Sequence, residues 1–175
     1  RMVRPLLVAL DRDGGRALPM TESLLSRISG KDNPQMVLGA FEQRWQDSGR
    51  ITPDAGRCWI ALDRVRDPGN LGTIMRTADA TGARGIILIG DCTDPYSVEA
   101  VRASMGAVFN VELAQMPEDD FLDLAAGWPG QIVGTALPAS RDYRKVDYVG
   151  PLILLMGNEQ AGLTPALMKA CTQLV

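Results

Sequence analysis

Beyond position 57 the chain alternates between short apolar runs and longer mixed segments. The apolar runs predict strands over Cys58–Asp63, Gly85–Ile89, 109–113, Gln131–Thr135 and Leu152–Met156. The segments between them predict helices over 71–81, 97–105, Glu118–Ala126 and 165–171. Thr164-Pro165 is a helix start, a capping hydroxyl followed by proline in the first turn. Strands separated by helices at this spacing indicate the α/β class, a parallel sheet with helices on both faces. The run at 152–156 is apolar throughout, as in a strand buried in the middle of such a sheet.

Before position 57 the pattern is different. Residues 3–10 form an apolar run ending at Asp11-Arg12-Asp13-Gly14-Gly15, which predicts a strand and a turn. Leu24, Leu25 and Ile28 follow Thr21 at helical spacing and predict a short helix over Glu22–Ser29. Residues 36–41 predict a second strand. From Gln46 to Gly56 the chain turns polar, with Gly and Pro, and the domain boundary is placed there. The expected organisation is a small α/β unit over 1–48, a linker over 49–56 and a larger domain over 57–175.

Composition narrows the chemistry. The 175 residues are 46% hydrophobic, enough for a proper core. Net charge is −3, so overall charge gives no help to nucleic-acid binding, which would need a local basic face. There is no histidine. That excludes Ser-His-Asp triads, Cys-His nucleophiles and His-ligated zinc. Cys58, Cys92 and Cys171 are widely separated, so no C-x-x-C pair exists, no metal is expected, and reduced thiols in a cytoplasmic protein are expected. No apolar run is long enough to span a bilayer, and the start lacks a signal stretch, so no membrane partner is expected. Arg1-Met2-Val3-Arg4 is not an obvious natural start, which fits a fragment.

Two places carry candidate chemistry. In the first, a strand ends at Asp63, a Pro68-Gly69 turn follows, and a helix begins at Asn70-Leu71-Gly72. Ligands of open α/β sheets bind at the carboxyl ends of strands. Gly69 and Gly72 would permit close backbone approach, the helix start would offer N–H groups to an anion, and the Arg76 fork suits a phosphate. The same residues also fit a tight turn with a solvated arginine, and the glycine spacing is not a dinucleotide fingerprint. In the second, the 152–156 run leads into Gly157-Asn158-Glu159-Gln160-Ala161-Gly162. Three hydrogen-bonding side chains between two glycines favour a site, although an ordinary polar loop has the same composition. Gly134-Thr135-Ala136-Leu137 is a third strand end that could line the same crevice.

These residues carry a family resemblance. Asn70-Leu71-Gly72-Thr73-Ile74-Met75-Arg76-Thr77-Ala78 resembles motif 1 of the SpoU (TrmH) class of SPOUT RNA 2′-O-ribose methyltransferases, and 156–162 resembles motif 2. Arg102-Ala103-Ser104-Met105-Gly106-Ala107 is similar to the serine-glycine segment between them, and Gly134-Thr135-Ala136-Leu137 to the cofactor-side strand. The resemblance covers about 57–175. Residues 1–50, especially 28–35, resemble the small ribosomal-protein-like RNA-binding domain that often precedes this catalytic domain. The resemblance implies S-adenosylmethionine as cofactor, a deep trefoil knot at its site, tRNA or rRNA as substrate, and a homodimer with active sites near the interface. It implies Arg76 as the catalytic arginine near the ribose hydroxyl, Asn70 and Glu159 shaping the site, and Thr135, Leu137 and Gly157 contacting the cofactor.

The family's third motif, an Ile-Pro-Met strand and a Ser-Leu-Asn loop, would follow Val175, so the knot segment is expected to be incomplete in this sequence. The join at 14–19 is short for the small domain's fold, and missing residues or truncation are expected at both places. Methyl transfer to a ribose hydroxyl is an in-line displacement in which the cofactor supplies the electrophile. Arginine stays protonated, so the safer role for Arg76 is electrostatic, with the proton passing to substrate phosphate, water or Glu159. Two other readings remain open at this stage: a nucleotide-binding α/β enzyme with another transfer activity, and a non-catalytic RNA-binding dimer of the same fold.

Overall fold

The structure is a computed structural model that describes residues 3–53, 56–137 and 141–175. It has two compact units, one ending at Glu42 and one spanning Gln43–Val175.

The first unit contains two helices among its described residues, α1 (Val3–Arg12) and α2 (Glu22–Ser29). The helix α2 is as expected, with the Thr21 hydroxyl accepting the Leu24 N–H at 3.3 Å. The strand expected over 3–10 is a helix. Val3, Leu6, Leu7 and Leu10 recur at i, i+3, i+4 and i+7, a helical stripe hidden inside a continuous apolar run, and Pro5 falls in the first turn, where its missing N–H costs nothing. Residues 36–41 form no strand either. They are exposed and pair with no other strand among the described residues, and an extended segment needs a neighbouring strand to become part of a sheet.

The second unit is a six-stranded sheet of β1 (Cys58–Asp63), β2 (Gly85–Ile89), β3 (Glu112–Met116), β4 (Gln131–Thr135), β5 (Leu152–Met156) and β6 (Gln173–Leu174). Every pairing is parallel and the spatial order is β3-β2-β1-β5-β4-β6. The helices α3 (Pro68–Thr81), α4 (Val98–Ala103), α5 (Glu118–Ala126) and α6 (Pro165–Ala170) lie between strands. Alternate strand residues feed two separate cores. Ile60, Leu62, Ile86 and Leu88 pack with Leu71, Met75 and Ala78 of α3 and Ala100 of α4. Trp59, Ala61, Ile87, Ile89, Ile153 and Leu155 pack with Phe121 of α5 and Leu167 of α6. Helices therefore cover both faces, as a parallel sheet requires. The central strand β5 is buried on one face only: Ile153 and Leu155 are buried, while Leu152, Leu154 and Met156 stay half-buried.

Several bounds differ from expectation. The third strand begins at Glu112 rather than 109, because Ala107–Phe109 is a 3-10 turn that directs Val108 and Val111 into the α3-side core. Helix α3 starts at Pro68, α4 spans Val98–Ala103, and α6 ends at Ala170. The strand β6 was not foreseen, since its apolar content is too small to stand out. The polar stretch around 46–53 is part of the second unit and packs against its sheet. The Gln46 N–H donates to the Leu113 carbonyl at 2.7 Å, Ile51 is buried, and the Trp59 indole donates to the Thr52 carbonyl at 3.2 Å. Trp45 meets Tyr96 edge-on, and the Tyr96 hydroxyl donates to the Arg44 carbonyl. Among the described residues no helix is long and apolar enough to cross a membrane.

Candidate active site

The strand order reverses between β1 and β5. The first three strands extend from β1 in one direction, and β5 opens the other side. In open α/β sheets such a switch point, at the carboxyl ends of its two strands, is where ligands bind. Both motif-bearing loops emerge at this place. The loop after β1 runs from Arg64 to the start of α3, and the turn after β5 spans 157–162.

The turn is built around Asn158. Its backbone N–H donates to the Gly162 carbonyl at 3.2 Å, and the Gly162 N–H returns a bond to the Asn158 carbonyl at 2.9 Å. Its side-chain Oδ1 accepts the N–H groups of Gln160 (3.0 Å) and Ala161 (2.9 Å), an Asx arrangement that holds the turn closed. Its Nδ2 donates to the Arg64 carbonyl at 2.8 Å. Gly157 precedes it at a place where a Cβ would lie 2.3 Å from the Gly162 carbonyl carbon and 2.4 Å from the Leu163 nitrogen. Only glycine lets the two arms of the turn come this close.

The closed turn presents Glu159 to the other loop. The Glu159 carboxylate accepts the main-chain N–H groups of Arg66 and Asp67, each at 3.4 Å, and the Asn70 amide at 3.3 Å. Partial desolvation pushes the carboxyl upward. Hydrogen bonds from its own N–H, the Asn70 side chain and the N–H groups of Arg66 and Asp67 outweigh that and hold it below the usual glutamate value. A carboxylate committed in this way is a poor proton acceptor. Asn70 and Glu159, chosen from sequence as site-shaping residues, are thus in direct contact.

The start of α3 is not the open anion cradle that its glycines predict. Asp67 caps it, its Oδ1 accepting the Asn70 N–H at 2.6 Å and its carbonyl the Leu71 N–H at 3.1 Å, while Pro68 has no N–H to offer. Two carboxylates, Asp67 and Glu159, already satisfy the positive end of the helix. Gly72 serves helix packing instead. A Cβ there would lie 2.3 Å from the Ala103 Cβ and 2.8 Å from its carbonyl carbon, so α3 and α4 cross in near contact. Ser104 of the serine-glycine segment is fully buried and bonds the Val101 carbonyl at 2.8 Å, so it ends α4 rather than facing the crevice.

Arg76 lies farther along α3 and is exposed, its side chain making neither an ion pair nor a hydrogen bond among the described residues. Its neighbour Met75 is fully buried, so the helix presents the arginine away from the core. Thr135 ends β4 in register with Met156, which places it beside the residue before Gly157. Its hydroxyl lies 3.5 Å from the Leu155 carbonyl. Leu137, just beyond, is fully exposed. The structure therefore joins Asn70 to Glu159 and sets Thr135 beside the start of the 157–162 turn. It does not bring Arg76 or Leu137 into contact with them.

Asp63 and Arg64 are the residues to which the sequence assigns no role, whereas Asn158 stands out there among the three polar side chains of the turn. The ion pair of Arg64 with buried Asp63 had no signal, because adjacent unlike charges at a strand end are usually solvated.

Residues 57–175 match the profile of the SpoU rRNA Methylase family. The chain is 34% identical over 161 residues to a 23S rRNA (uridine(2479)-2′-O)-methyltransferase of Streptomyces viridochromogenes, an alignment covering 88% of this chain and 56% of that protein. A 23S rRNA (guanosine(2553)-2′-O)-methyltransferase of Bacillus subtilis is 26% identical over 86% of this chain and 58% of its own. Among solved structures, an AdoMet-bound rRNA methyltransferase from Sinorhizobium meliloti superposes with a TM-score of 0.93 at 48% identity, covering 98% of this chain and 66% of that one. The chain spans a little over half the length of the curated relatives it matches. With the sequence profile, the sheet and both motif loops in agreement, the chain belongs to the SpoU rRNA methylase family.

Proposed function

We propose that this chain carries the catalytic domain of an enzyme that moves a methyl group from S-adenosylmethionine to a ribose 2′-hydroxyl of rRNA or tRNA. The observation that carries this reading is the meeting of the two motif loops at the switch point, where Glu159 holds Asn70 and the start of α3. Relatives named as rRNA 2′-O-methyltransferases, and neighbours solved with AdoMet, support it.

The residues at the ends of β4 and β5 fit such a cofactor. Thr135 offers a half-buried hydroxyl, Gly157 a half-buried main chain, and Leu137 an uncovered apolar side chain. That set suits a heterocycle and a ribose better than a phosphate. When bound, the cofactor supplies an electrophilic methyl group on a sulfonium. Arg76, unpaired and always charged, holds an RNA phosphate and stabilises the alkoxide that develops as the hydroxyl attacks. Glu159, held low by its donors, orients Asn70 and the loop instead of taking the proton. The proton then passes to the substrate phosphate or to water.

The finer parts of the reading are a trefoil knot on the β4–β5–β6 side, a homodimer, an RNA-binding role for the first unit and a cytoplasmic location. The parallel pairing of β6 with β4 accords with the knot. Exposed Val98 and Met105 beside the motif helices, and the half-buried face of β5, accord with a partner subunit. Three free cysteines accord with a reducing compartment.

The test is calorimetry of S-adenosylmethionine on the full-length protein, followed by incubation with methyl-labelled cofactor and total rRNA and tRNA, and mapping of the labelled nucleotide. Binding with label on a ribose 2′-oxygen is the expected result. Binding without transfer to any RNA favours the non-catalytic dimer, and no binding overturns the reading.

A further inference from the structure

Two charged residues at the end of β1 have no part in the reading above. Asp63 is fully buried, and a buried carboxylate is costly unless its oxygens are paired. Both are taken by its neighbour, Arg64 Nε to Oδ1 at 2.7 Å and the terminal nitrogen to Oδ2 at 2.9 Å. To reach back this way Arg64 adopts a φ of +51°, a left-handed conformation that a long side chain seldom takes. The same terminal nitrogen donates to the Gly162 carbonyl at 3.4 Å, and the Arg64 carbonyl accepts the Asn158 amide at 2.8 Å. Asn158 and Gly162 are the two ends of the turn that carries Glu159. One residue therefore grips both ends, with its side chain at one and its main chain at the other.

The packing of β1 does not need this grip. Leu62 and Val65 on either side supply the apolar contacts to the α3-side core, and the Arg64 side chain is itself about one-third exposed at 35%. Its bonds lead instead to the residues of the site. We infer that Arg64, seated by Asp63, is a positioning residue that fixes the 158–162 turn to the end of β1, and so sets Glu159 against the start of α3 and Gly157 at the cofactor end. This rests on the methyltransferase reading.

The test separates grip from strain and from a stranded charge. Arg64→Gly accepts the left-handed φ freely but leaves Asp63 unpaired, so it is studied beside the double variant Asp63→Asn/Arg64→Gly. Arg64→Lys keeps the charge without the fork. On full-length protein, the double variant is expected to fold and to exchange the amides of 158–162 about tenfold faster than wild type. Its affinity for S-adenosylmethionine and its kcat are each expected to fall by about tenfold, with KM for RNA unchanged, and Arg64→Lys to recover part of both losses. Unchanged exchange in 158–162, or wild-type binding and turnover in the double variant, overturns the inference. Wild-type protein that neither binds the cofactor nor methylates RNA overturns the functional reading instead, and the exchange comparison then still decides whether Arg64 grips the turn.

Discussion

The Glu159 carboxylate and the Asn70 amide meet at 3.3 Å although 89 positions separate them in the chain. The contact ties the turn after β5 to the helix after β1. It is not a strong bond taken alone, because both side chains are exposed. Its value lies in its company. The Arg66 and Asp67 N–H groups converge on the same carboxylate.

Glu159→Gln should therefore loosen the loop more than it weakens the fold. The amide keeps one acceptor oxygen and sets an NH2 group against N–H donors. Methyl transfer should fall on the order of a hundredfold from misplacement of the site, with a small change in melting temperature. The acid limb of stability should also change. A carboxyl held below its ordinary value stabilises the fold above that value and loses the contribution as pH falls through the lowered one. Melting curves between about pH 3 and 6 should be flatter for Glu159→Gln than for wild type. Equal acid limbs would show that Glu159 is not held by these donors.

Gly157→Ala tests the close approach within the same turn. The new Cβ would meet main-chain atoms at 2.3 and 2.4 Å, and backbone cannot swing aside as a flexible side chain can. The expected loss is about 1–3 kcal/mol, read by chemical denaturation. Gly127→Ala is the control, because the nearest atoms there are 3.8 Å away and its backbone is right-handed. It should be neutral or slightly stabilising. Matching effects at the two glycines would count against the tight turn.

The residues that could be read in advance are those whose local pattern agrees with their tertiary setting. The strands Gly85–Ile89 and Leu152–Met156 are unbroken apolar runs, and Cys58–Asp63 and Gln131–Thr135 carry apolar residues through their middles, because both faces of a parallel sheet seek cover. The same rule misleads at 3–10, where an apolar run is a helix whose stripe is filled in by Val8 and Ala9. It misleads at 109–113 as well, where Val108 and Val111 enter the core from a turn. In the site, Asn70 and Glu159 were legible because they sit in recognisable motifs. The grip of Arg64 was not, since it depends on a left-handed backbone and on a carbonyl 98 positions away.

Cys171 gives an alkaline prediction. Burial against Gly134 pushes its thiol up to about 11. A group whose value is raised on folding stabilises the fold below its ordinary value and loses that contribution as pH climbs toward the raised one. Wild-type stability should therefore decline between about pH 9 and 11, and Cys171→Ala should remove that part of the slope. The thiol should also react slowly with a disulfide reagent at neutral pH in the native state. Rapid labelling of the folded protein would contradict the burial.

Arg76→Ala separates chemistry from cofactor binding. The arginine is exposed on α3 and makes no ion pair among the described residues, so its loss should leave melting within the range of an ordinary surface change, about 0.5 kcal/mol. The proposed cofactor contacts come from the ends of β4 and β5, so affinity for S-adenosylmethionine should stay close to wild type. Methyl transfer should drop by about 3 kcal/mol of transition-state stabilisation, roughly a hundredfold, because a phosphate or developing alkoxide loses its fixed charge. Arg76→Lys should recover only part of the rate, since a point charge cannot reproduce the planar fork. Full turnover in Arg76→Ala would make the arginine a bystander. A large loss of cofactor affinity with intact folding would place the cofactor against α3 instead of the strand ends.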